Sequence, residues 1–443
     1  MASIFRMEWA FLKKTGIVPA MSSQHINDIN GDPIGGTLFI MGNFPEQSQT
    51  FIQREMTEMK RRGISVNIFA DTQAKHAHLE PALQEIERNT LYRPHPGKWI
   101  PGGILNGMRS PVSFAATVKW ALSLPHRSHY HRARFFTALL TASALAPTVL
   151  ERGYRYIHAH FAAYQTEVAM CLSRLTGLPY GATWHAYGIW KDRNILKEKI
   201  EGAEVILSCT ANNVRHLEAL APGAKHRVRL VYHGLDLERL PEPSDIPISG
   251  PPVWLAIGRL TPKKGFDYLI EAAELLRKRG VRFQIDIAGD GPQENELRQK
   301  IARYGLQEVV KILGAIPSFE VFERLASARG LIAPSIRDKD GDIDGIPNVL
   351  LEAMAMKRPV IGTNLSGIPE VVRNGETGVL VSPENAEELA DAMVLLMEDL
   401  DFAKRAGEKG RELVEREFDV RRAVDKQIEI LAKAQKRSFR GAV

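Results

Sequence analysis

The residues best placed to do chemistry lie in the segment Asp344–Glu352, where a loop is predicted to become a helix. Gly345 and Pro347 stand at this junction, and proline is tolerated in a first helical turn because the amide that it lacks has no helical partner. The free amides of such a turn, together with the helix dipole, form an anion-binding site. Glu352 lies about two turns into the helix, where its carboxylate can accept hydrogen bonds from the vicinal hydroxyls of a ribose. The alternative is a helix with ordinary polar residues at its start.

A second motif, Gly258–Gly265, follows an apolar strand and precedes an amphipathic helix. It contains the cations Arg259, Lys263 and Lys264. Arginine can bind the oxygens of a diphosphate in a bidentate manner, and lysine acts as a point charge. The motif therefore predicts a diphosphate site, and the alternative is a solvated basic turn. A glycine-rich turn at residues 288–292 follows the next strand and by itself indicates only a backbone shape.

These motifs, in this order and spacing, resemble the retaining glycosyltransferases of family four, the group 1 transferases, over residues 253–385. The similarity continues through Asn364–Glu370 and Asn374–Gly378. It implies an α/β fold of the GT-B type, in which two doubly wound, Rossmann-like domains face a cleft. The family has glutamate where this chain has Asp344, which is one methylene shorter.

The resemblance also implies roles for the site residues. Arg259 and Lys264 hold and neutralise the diphosphate of a nucleoside-diphosphate sugar, and Glu352 binds its ribose. Asp344 and His185 contact the transferred sugar from opposite domains. An acceptor hydroxyl attacks from the leaving-group face, so that anomeric configuration is retained without a side-chain nucleophile. Besides Glu352, the donor-binding residues are expected to be Gly258, Gly289, Gly314, Ile316, Gly345, Ile346, Pro347, Asn348 and Val349.

A loop in the first half of the chain is predicted to lie on the acceptor side. Residues 44–52 follow the first predicted strand and resemble the Ser-Glu-Thr-Phe-Ile loop of exopolysaccharide transferases of the colanic-acid type. Gln49 replaces the usual glutamate. We expect Glu46, Ser48 and Thr50 to face the acceptor, although Ser48 also suits a helix N-cap.

Histidines follow two predicted strands, Arg155–His158 and Pro179–Thr183. Side chains at the carboxyl ends of parallel strands face the ligand-binding edge of a sheet. We therefore expect His158 and His160 on the acceptor side, and His185 matches the family's cleft histidine. The alternative for His158 is a core histidine whose ring nitrogens bond to neighbouring residues.

The alternation of strand-like and helix-like segments predicts parallel sheets with helices on both faces. Prolines and glycines crowd residues 234–252, which we interpret as the domain boundary. The predicted domains are an acceptor-side domain, residues 1–235, and a donor domain, residues 236–418. An amphipathic helix in residues 419–443 is expected to pack back on the first domain.

The composition, with 44% hydrophobic and 25% charged residues, is that of a soluble globular protein. A net charge of +6 suits phosphorylated substrates or an anionic membrane, although many soluble enzymes are as basic. The basic and aromatic segment 125–136 is interpreted either as a contact with an acidic membrane or as a solvated helix start. The cations are dispersed and no nucleic-acid-binding module is recognised, so nucleic acid is not an expected partner.

The same sequence predicts a cytoplasmic protein, with peripheral contact at the inner face of the membrane as one option. No secretory signal is evident, and the apolar stretch Phe135–Leu150 falls short of the ~20 residues that span a bilayer, so we interpret it as a core helix. Cys171 and Cys209 lack metal-ligand spacing and are expected to be small buried hydrophobes.

The predicted function is transfer of a sugar to a glycan or lipid-linked acceptor in exopolysaccharide, lipopolysaccharide or other cell-surface glycan biosynthesis. Asp338, Asp340 and Asp342 have a metal-like spacing. The resembling family needs no metal, so neither a metal nor another cofactor is expected. Two alternatives stay open: a sugar-nucleotide epimerase of GT-B fold and a non-catalytic nucleotide-binding module. Release of nucleoside diphosphate only when an acceptor is added would separate the three.

Overall fold

The computed structural model describes residues 32–46, 49–74, 80–246 and 250–440. By its internal contacts the chain divides into two compact units. The first contains the described residues up to Ser208, the stretch His216–Val231 and the described residues from Val424 onward. The second contains Cys209–Arg215 and Tyr232–Ala423.

The first unit is built on a sheet in which every neighbouring pair of strands is parallel. Its elements are β1 (Thr37–Phe44), α1 (Thr50–Arg61), β2 (Asn67–Gln73), α2 (Pro81–Arg88), β3 (Leu91–Tyr92), α3 (Pro96–Arg109), α4 (Pro111–Ser123), α5 (His129–Glu151), β4 (Tyr156–His160), α6 (Tyr164–Thr176), β5 (Tyr180–Trp184), α7 (Leu196–Gly202), β6 (Val205–Ser208), α8 (Ala211–Leu220), which begins in the second unit, and β7 (Val228–Leu230). Among the described residues the strand order is β3-β2-β1-β4-β5-β6-β7. β4 and β5 are buried along their whole length because helices cover both faces of the sheet.

The second unit repeats this plan with a shorter sheet. Its elements are β8 (Val253–Ile257), α9 (Phe266–Lys278), β9 (Gln284–Ala288), α10 (Glu294–Arg303), β10 (Val310–Gly314), α11 (Ser318–Ser327), β11 (Gly330–Ala333), α12 (Asn348–Ala355), β12 (Val360–Thr363), α13 (Ile368–Val371), β13 (Gly378–Val381), α14 (Ala386–Glu398), α15 (Leu400–Glu417) and α16 (Val420–Arg440), which continues into the first unit. The described strands run in the order β10-β9-β8-β11-β12-β13, all parallel. In α9, Phe266, Leu269, Ile270 and Leu276 form the buried apolar stripe that its sequence periodicity predicts.

The predicted fold class, two doubly wound α/β domains, is confirmed. The apolar strand expected before the motif Gly258–Gly265 is β8. One difference matters for the site: β4 runs to His160, whereas the prediction ends it at His158. The two-residue strand β3 was not predicted, because so short a run carries no periodicity.

Residues 209–215 lie in the second unit, although the predicted boundary places them in the first domain. Thr210 packs closely against Gly367: a Cβ added at this glycine would lie 2.6 Å from Thr210 Cγ2. Glu370 then accepts hydrogen bonds from the amides of Ala211 (2.8 Å) and Asn212 (2.9 Å) at the start of α8. These contacts tie the turn before α8 to the second unit.

Two long helices bear on the predictions. From Val424 onward α16 lies in the first unit, where Gln435 Nε2 donates to Thr37 Oγ1 at 2.8 Å. Among the described helices, α5 is the one that is long and apolar enough to cross a membrane by length and composition, with 44% of its most apolar window buried. A core helix passes the same test, so this is weak evidence. Cys171 and Cys209 are buried free thiols, as predicted.

Candidate functional site

Two loops leave the sheet of the second unit at the point where β8 and β11 lie side by side. This is where the strand order reverses, and ligands of doubly wound sheets bind at the carboxyl ends of the strands there. β8 leads into Gly258–Gly265, and β11 leads into residues 334–347 and then α12. The fold thus brings together the two motifs with the strongest predicted chemistry.

A cluster of lysines and aspartates joins these loops. Lys264 Nζ lies 2.7 Å from Asp344 Oδ2. Lys263 Nζ lies 3.4 Å from Asp344 Oδ1 and 3.3 Å from Asp342 Oδ2. Ser335 Oγ also donates to Asp344 Oδ2, at 3.2 Å. We call these five residues the lysine–aspartate cluster.

Charge pairing outweighs burial in this cluster. Burial alone would raise the pKa of Asp344, but the ammonium groups of Lys264 and Lys263 lower that pKa below its ordinary value. Burial alone would lower the pKa of Lys263, but Asp344 and Asp342 raise it above its ordinary value. Asp344 and Lys263 are therefore both charged at neutral pH.

Two glycines position Lys264. Gly265 has a φ of 67°, and a Cβ there would lie 1.8 Å from the carbonyl oxygen of Pro334, so glycine is required where the loops touch. At Gly258 a Cβ would lie 2.9 Å from Lys264 Cε. The bare backbone at this position therefore leaves room for the lysine chain to lie across it.

Gly289 and Gly314 fasten the ends of neighbouring strands. The amide of Gly289 donates to the carbonyl of Gly314 at 2.7 Å, and a Cβ at Gly289 would lie 1.9 Å from the carbonyl oxygen of Gly258. In this structure the two glycines join the backbone at the ends of β9 and β10, next to Gly258. Ile316 lies in the loop after β10 and is half-buried. Contact of these three residues with a donor stays a prediction.

The start of α12 forms the other side of the site. The helix begins at Asn348. Pro347 has extended backbone and lies one residue before the helix, rather than in its first turn as predicted. Proline has no side-chain acceptor, so it cannot cap the first amides of the helix. Those amides, next to Gly345, Ile346 and Val349 of the same segment, can bind an anion. Glu352 is half-buried in the second turn of the helix.

The remaining charged residues of these loops differ in exposure. Arg259 is exposed, and it is the second residue after the end of β8. Asp338 Oδ1 accepts hydrogen bonds from the amides of Asp340 (2.8 Å) and Asp342 (3.1 Å). These aspartates therefore shape their own turn, and Asp342 also pairs with Lys263.

The predicted acceptor-side loop is described in part. The carbonyl of Glu46 accepts a hydrogen bond from Gln53 Nε2 at 2.8 Å. Thr50 Oγ1 accepts one from Arg54 Nη2 at 3.0 Å within α1. Ser48 lies outside the described residues, and the flanking residue of α1, Gln49, makes no side-chain capping hydrogen bond.

His158 and His160 differ from the prediction. Because β4 continues to His160, His158 lies in the middle of the strand, where its Nε2 is 2.8 Å from Thr183 Oγ1. Both histidines are fully buried in this structure, and their contact with an acceptor stays a prediction. Burial also lowers the pKa of His158 well below its ordinary value, so the ring is neutral. His158 is thus a core histidine, as in the alternative, but Nδ1 has no hydrogen-bond partner among the described residues.

His185 directly follows β5 and retains a small exposed surface, 7% of the residue. Its ring stacks on His160 with 6.1 Å between centroids and 14° between planes. Phe161 and Phe51 flank it, with centroids at 4.5 and 4.9 Å. His160 thus packs against one face of the His185 ring. Of the three histidines, His185 is the one with exposed surface that a ligand can contact.

A buried ionic network holds the segment after His185, which forms a π-helical turn, Tyr187–Asp192. This network was not predicted from the sequence. Glu167 is fully buried and accepts from Arg134 Nε (3.0 Å), Lys199 Nζ (3.1 Å) and Asn194 Nδ2 (2.8 Å). Arg134 also pairs with Asp192. Arg134, within segment 125–136, therefore belongs to this network, and the two interpretations of the segment concern its other residues.

The charges of this network favour ionised carboxylates. Burial would raise the pKa values of Glu167 and Asp192, but the neighbouring cations, Lys199 and Arg134, lower both. Burial lowers the pKa of Lys199, and Glu167 and Asp192 offset part of that effect. No local motif could have revealed the network, because its members are spread from residue 134 to residue 199.

Comparisons with known proteins support the motifs of the second unit. Residues 241–413 match the family described as glycosyl transferases group 1. The chain is 38% identical over 197 residues to WcaL of Escherichia coli (strain K12), provisionally named a colanic acid biosynthesis glycosyltransferase, covering 44% of this chain and 48% of WcaL. It is 36% identical over 177 residues to the amylovoran biosynthesis glycosyltransferase AmsK of Erwinia amylovora, covering 40% and 44%. The chain thus spans about half the length of the curated relatives it matches.

Solved structures share the fold over most of the chain. Anabaena HepE in complex with UDP superimposes with a TM-score of 0.67 at 17% identity, covering 90% of this chain and all of that one. A glycosyltransferase from Rickettsia africae gives a TM-score of 0.66 at 18% identity, covering 90% and 98%. The predicted GT-B class is confirmed at the level of fold. The resemblance to group 1 glycosyl transferases, predicted from the motifs, is confirmed over residues 241–413.

Proposed function

We propose that this chain is a retaining hexosyltransferase that moves a sugar from a nucleoside-diphosphate donor to an acceptor hydroxyl. The observation that carries the proposal is the lysine–aspartate cluster, held at the sheet's switch point beside the start of α12 and within the residues that match the family. The acceptor we propose is a glycan or a lipid-linked glycan, and the location is the cytoplasm.

Charge counting indicates how the site would hold a diphosphate. The two lysines and two aspartates of the cluster cancel, so they give a neutral, preorganised base. The net positive charge comes from exposed Arg259 and from the start of α12, whose dipole is equivalent to about half a charge. A diphosphate drawn there can accept hydrogen bonds from Lys264, and Asp344 then keeps that ammonium in place.

The proposed chemistry is positioning and charge stabilisation. The glycosidic bond to the diphosphate breaks as an acceptor hydroxyl forms a bond to the same carbon from the same face, and the leaving phosphate takes the hydroxyl proton. Lys264 and Arg259 stabilise the negative charge that develops on the leaving group. His185 and Asp344 are proposed to contact the transferred sugar.

The comparisons support the substrate class without identifying it for this chain. HepE structures hold UDP and UDP-glucose, so a uridine donor is the first to try. WcaL and AmsK are named for colanic acid and amylovoran biosynthesis, which supports a role in making a cell-surface polysaccharide.

Release of nucleoside diphosphate tests the proposal. The protein is incubated with UDP-glucose, and then with other nucleotide sugars, with and without glycan or lipid-linked acceptor extracts. A transferase releases nucleoside diphosphate mainly when acceptor is present. An epimerase converts the donor's sugar without release, and a binding module does neither, so either result would overturn the proposal.

Glu352→Ala should weaken binding of the matching nucleoside diphosphate. Loss of hydrogen bonds between a carboxylate and ribose hydroxyls should cost about 1.5–3 kcal/mol of binding free energy. Titration calorimetry with UDP, GDP and ADP measures this, and Glu398→Ala at the exposed end of α14 is the matched control. Equal affinity in Glu352→Ala and wild type would place the ribose elsewhere.

Turnover should survive a chelator. The proposed charge stabilisation comes from Arg259 and Lys264, and the turn of Asp338, Asp340 and Asp342 is organised by its own amides. We expect the same rate with EDTA and with added Mg²⁺. If EDTA abolishes turnover, Mg²⁺ restores it and Asp340→Asn prevents the restoration, this turn is a metal site instead.

A further inference from the structure

A stretch of the first unit contains no carboxylate side chain. Residues 88–150 include no aspartate or glutamate, whereas the whole chain has 52 in 443 residues, so about seven would be expected here. The same stretch has eight lysines and arginines. Its exposed cations are Arg88, Lys98, Arg109, Lys119, Arg127 and Arg132. The surface that it forms therefore has a single sign of charge.

The same stretch exposes an unusual amount of apolar surface. Thirteen large hydrophobic side chains are exposed in the described part of the chain, and eight of them lie between residues 100 and 150. The eight are Ile100, Ile104, Leu105, Met108, Val112, Leu122, Tyr130 and Leu150. Single exposed hydrophobic residues are ordinary, but a concentration of them indicates an interaction surface.

Packing explains why these side chains face outward on α3. Its buried residues are Trp99, Gly103 and Gly107, and two of these three have no side chain. A Cβ at Gly103 would lie 2.4 Å from the carbonyl oxygen of Leu140, and Ser143 Oγ donates to the carbonyl of Gly103 at 2.7 Å. α3 therefore packs on α5 through backbone, and its large side chains, such as Met108, remain exposed.

α4 has an inverted pattern. Its buried residues are small or polar: Ser113, Thr117 and Ala121. Val112 and Leu122 are exposed instead. A helix on the surface of a water-soluble protein normally turns its polar face outward. The outward face of α4 suits a medium less polar than water.

We propose that α3, α4 and the first turn of α5 form a docking surface for an anionic lipid bilayer. Helices with Lys and Arg beside exposed aliphatic side chains lie in the plane of the headgroups, with the apolar residues inserted and the cations near lipid phosphates. The charge of the surface argues against a second copy of this chain as its occupant, because two identical basic faces repel. The aliphatic residues argue against nucleic acid, whose phosphates would need only the cations.

Vesicle flotation tests this surface independently of any transfer activity. Wild type should bind vesicles made of an equal mixture of phosphatidylcholine and phosphatidylglycerol. It should bind vesicles of pure phosphatidylcholine weakly, and its binding to the mixed vesicles should be lost at high salt. Arg109→Ala with Lys119→Ala should lower the partition coefficient about 30-fold, since each cation near an anionic surface contributes about fivefold. The matched control is Lys404→Ala with Arg405→Ala, two exposed cations of α15.

A second variant tests the exposed apolar side chains of the docking surface. Leu105→Ser, Met108→Ser and Val112→Ser together should lower binding more than about tenfold. Leu395→Ser with Leu400→Ser, which are also exposed, should bind as wild type does. Thermal unfolding of each variant checks that it is folded, and the alanine pair tests the surface even if the serine variant is not.

Several results would overturn the proposal. Equal binding to both vesicle types, or equal losses in test and control variants, would remove the surface. Concentration-dependent dimers that the serine variant abolishes would make the occupant a second copy. Retention on vesicles after an alkaline carbonate wash would mean insertion of α5 rather than peripheral docking.

Discussion

Lys264→Ala should lower kcat/KM about 30- to 900-fold, which corresponds to a loss of about 2–4 kcal/mol of transition-state stabilisation, the scale for one preorganised donor. The reason is geometric. Asp344 holds Lys264 Nζ at 2.7 Å, Gly258 leaves room for its chain, and no reorganisation is needed as charge develops on the leaving diphosphate. Arg259→Ala should change kcat/KM in the same direction. The measurement is initial rates of nucleoside diphosphate release with a saturating acceptor.

Folding should change little in Lys264→Ala, because Lys263 still pairs with Asp344 at 3.4 Å. Lys278→Ala, which removes an exposed lysine of α9 paired with Glu274, is the matched control and should turn over normally. Lys264→Arg keeps the charge but not the shape, so its rate should lie between wild type and alanine. Normal turnover in Lys264→Ala would contradict the diphosphate assignment.

Lys199→Met should lower the free energy of unfolding by about 3–5 kcal/mol, the cost of removing one partner from a buried ion pair. Lys199 and Glu167 have no exposed side-chain surface, so water cannot replace the lost ammonium. The variant should also become acid-sensitive. The native pKa of Glu167 lies below its ordinary value, so wild-type stability is present above the ordinary value and lost as pH falls through the native pKa. Removing the ammonium of Lys199 raises the pKa of Glu167, so the stability of the variant begins to fall at a higher pH than that of wild type.

The control lies two residues away on the same helix. Lys197→Met removes an exposed lysine whose Nζ lies 3.9 Å from Glu201 Oε1. Ion pairs on the surface typically contribute about 0–1 kcal/mol to the free energy of unfolding. Urea-induced unfolding at several pH values compares both variants with wild type. Glu167→Leu combined with Lys199→Met should recover part of the stability, because no buried charge is then left without its partner. Equal stability of Lys199→Met and Lys197→Met would show that the buried pair does not stabilise the first unit.

Local patterns predicted what depends on local sequence. The apolar run Val253–Ile257, the stripe of α9 and the glycine before it are signals read over a few residues, and the structure places each where they indicate. The motifs at Gly258–Gly265 and Asp344–Glu352 could each be recognised as donor loops. Their ion pair could not, because it depends on β8 and β11 being neighbours, and about eighty residues separate Lys264 from Asp344.

The difference at His158 between the predicted and observed strand end has the same origin. The end of β4 is set by pairing with β5, in which His160 lies opposite Thr183. Where the strand ends is a tertiary property, and its extension by two residues places His158 inside the strand rather than at the carboxyl end. The network around Glu167 is a second case, since each member alone looks like an ordinary surface charge.

The surface of α3 and α4 shows how sequence and structure complement each other. The absence of carboxylates from residues 88–150 is visible in the sequence. Apolar residues at helical spacing, however, are usually interpreted as core, and Met108 or Val112 would be assigned to it. Only the packing of Gly103 on Leu140 shows that these side chains face outward.

The anomeric configuration of the transferred sugar tests the central claim most directly. Wild type is given the nucleotide sugar and acceptor that the release assay selects, and the anomeric coupling constants of donor and product are compared by NMR. We expect the product to keep the donor's configuration and product formation to collapse in Lys264→Ala but not in Lys278→Ala. A product of opposite configuration, or undiminished product from Lys264→Ala, would contradict a retaining transferase with its donor site in residues 258–370.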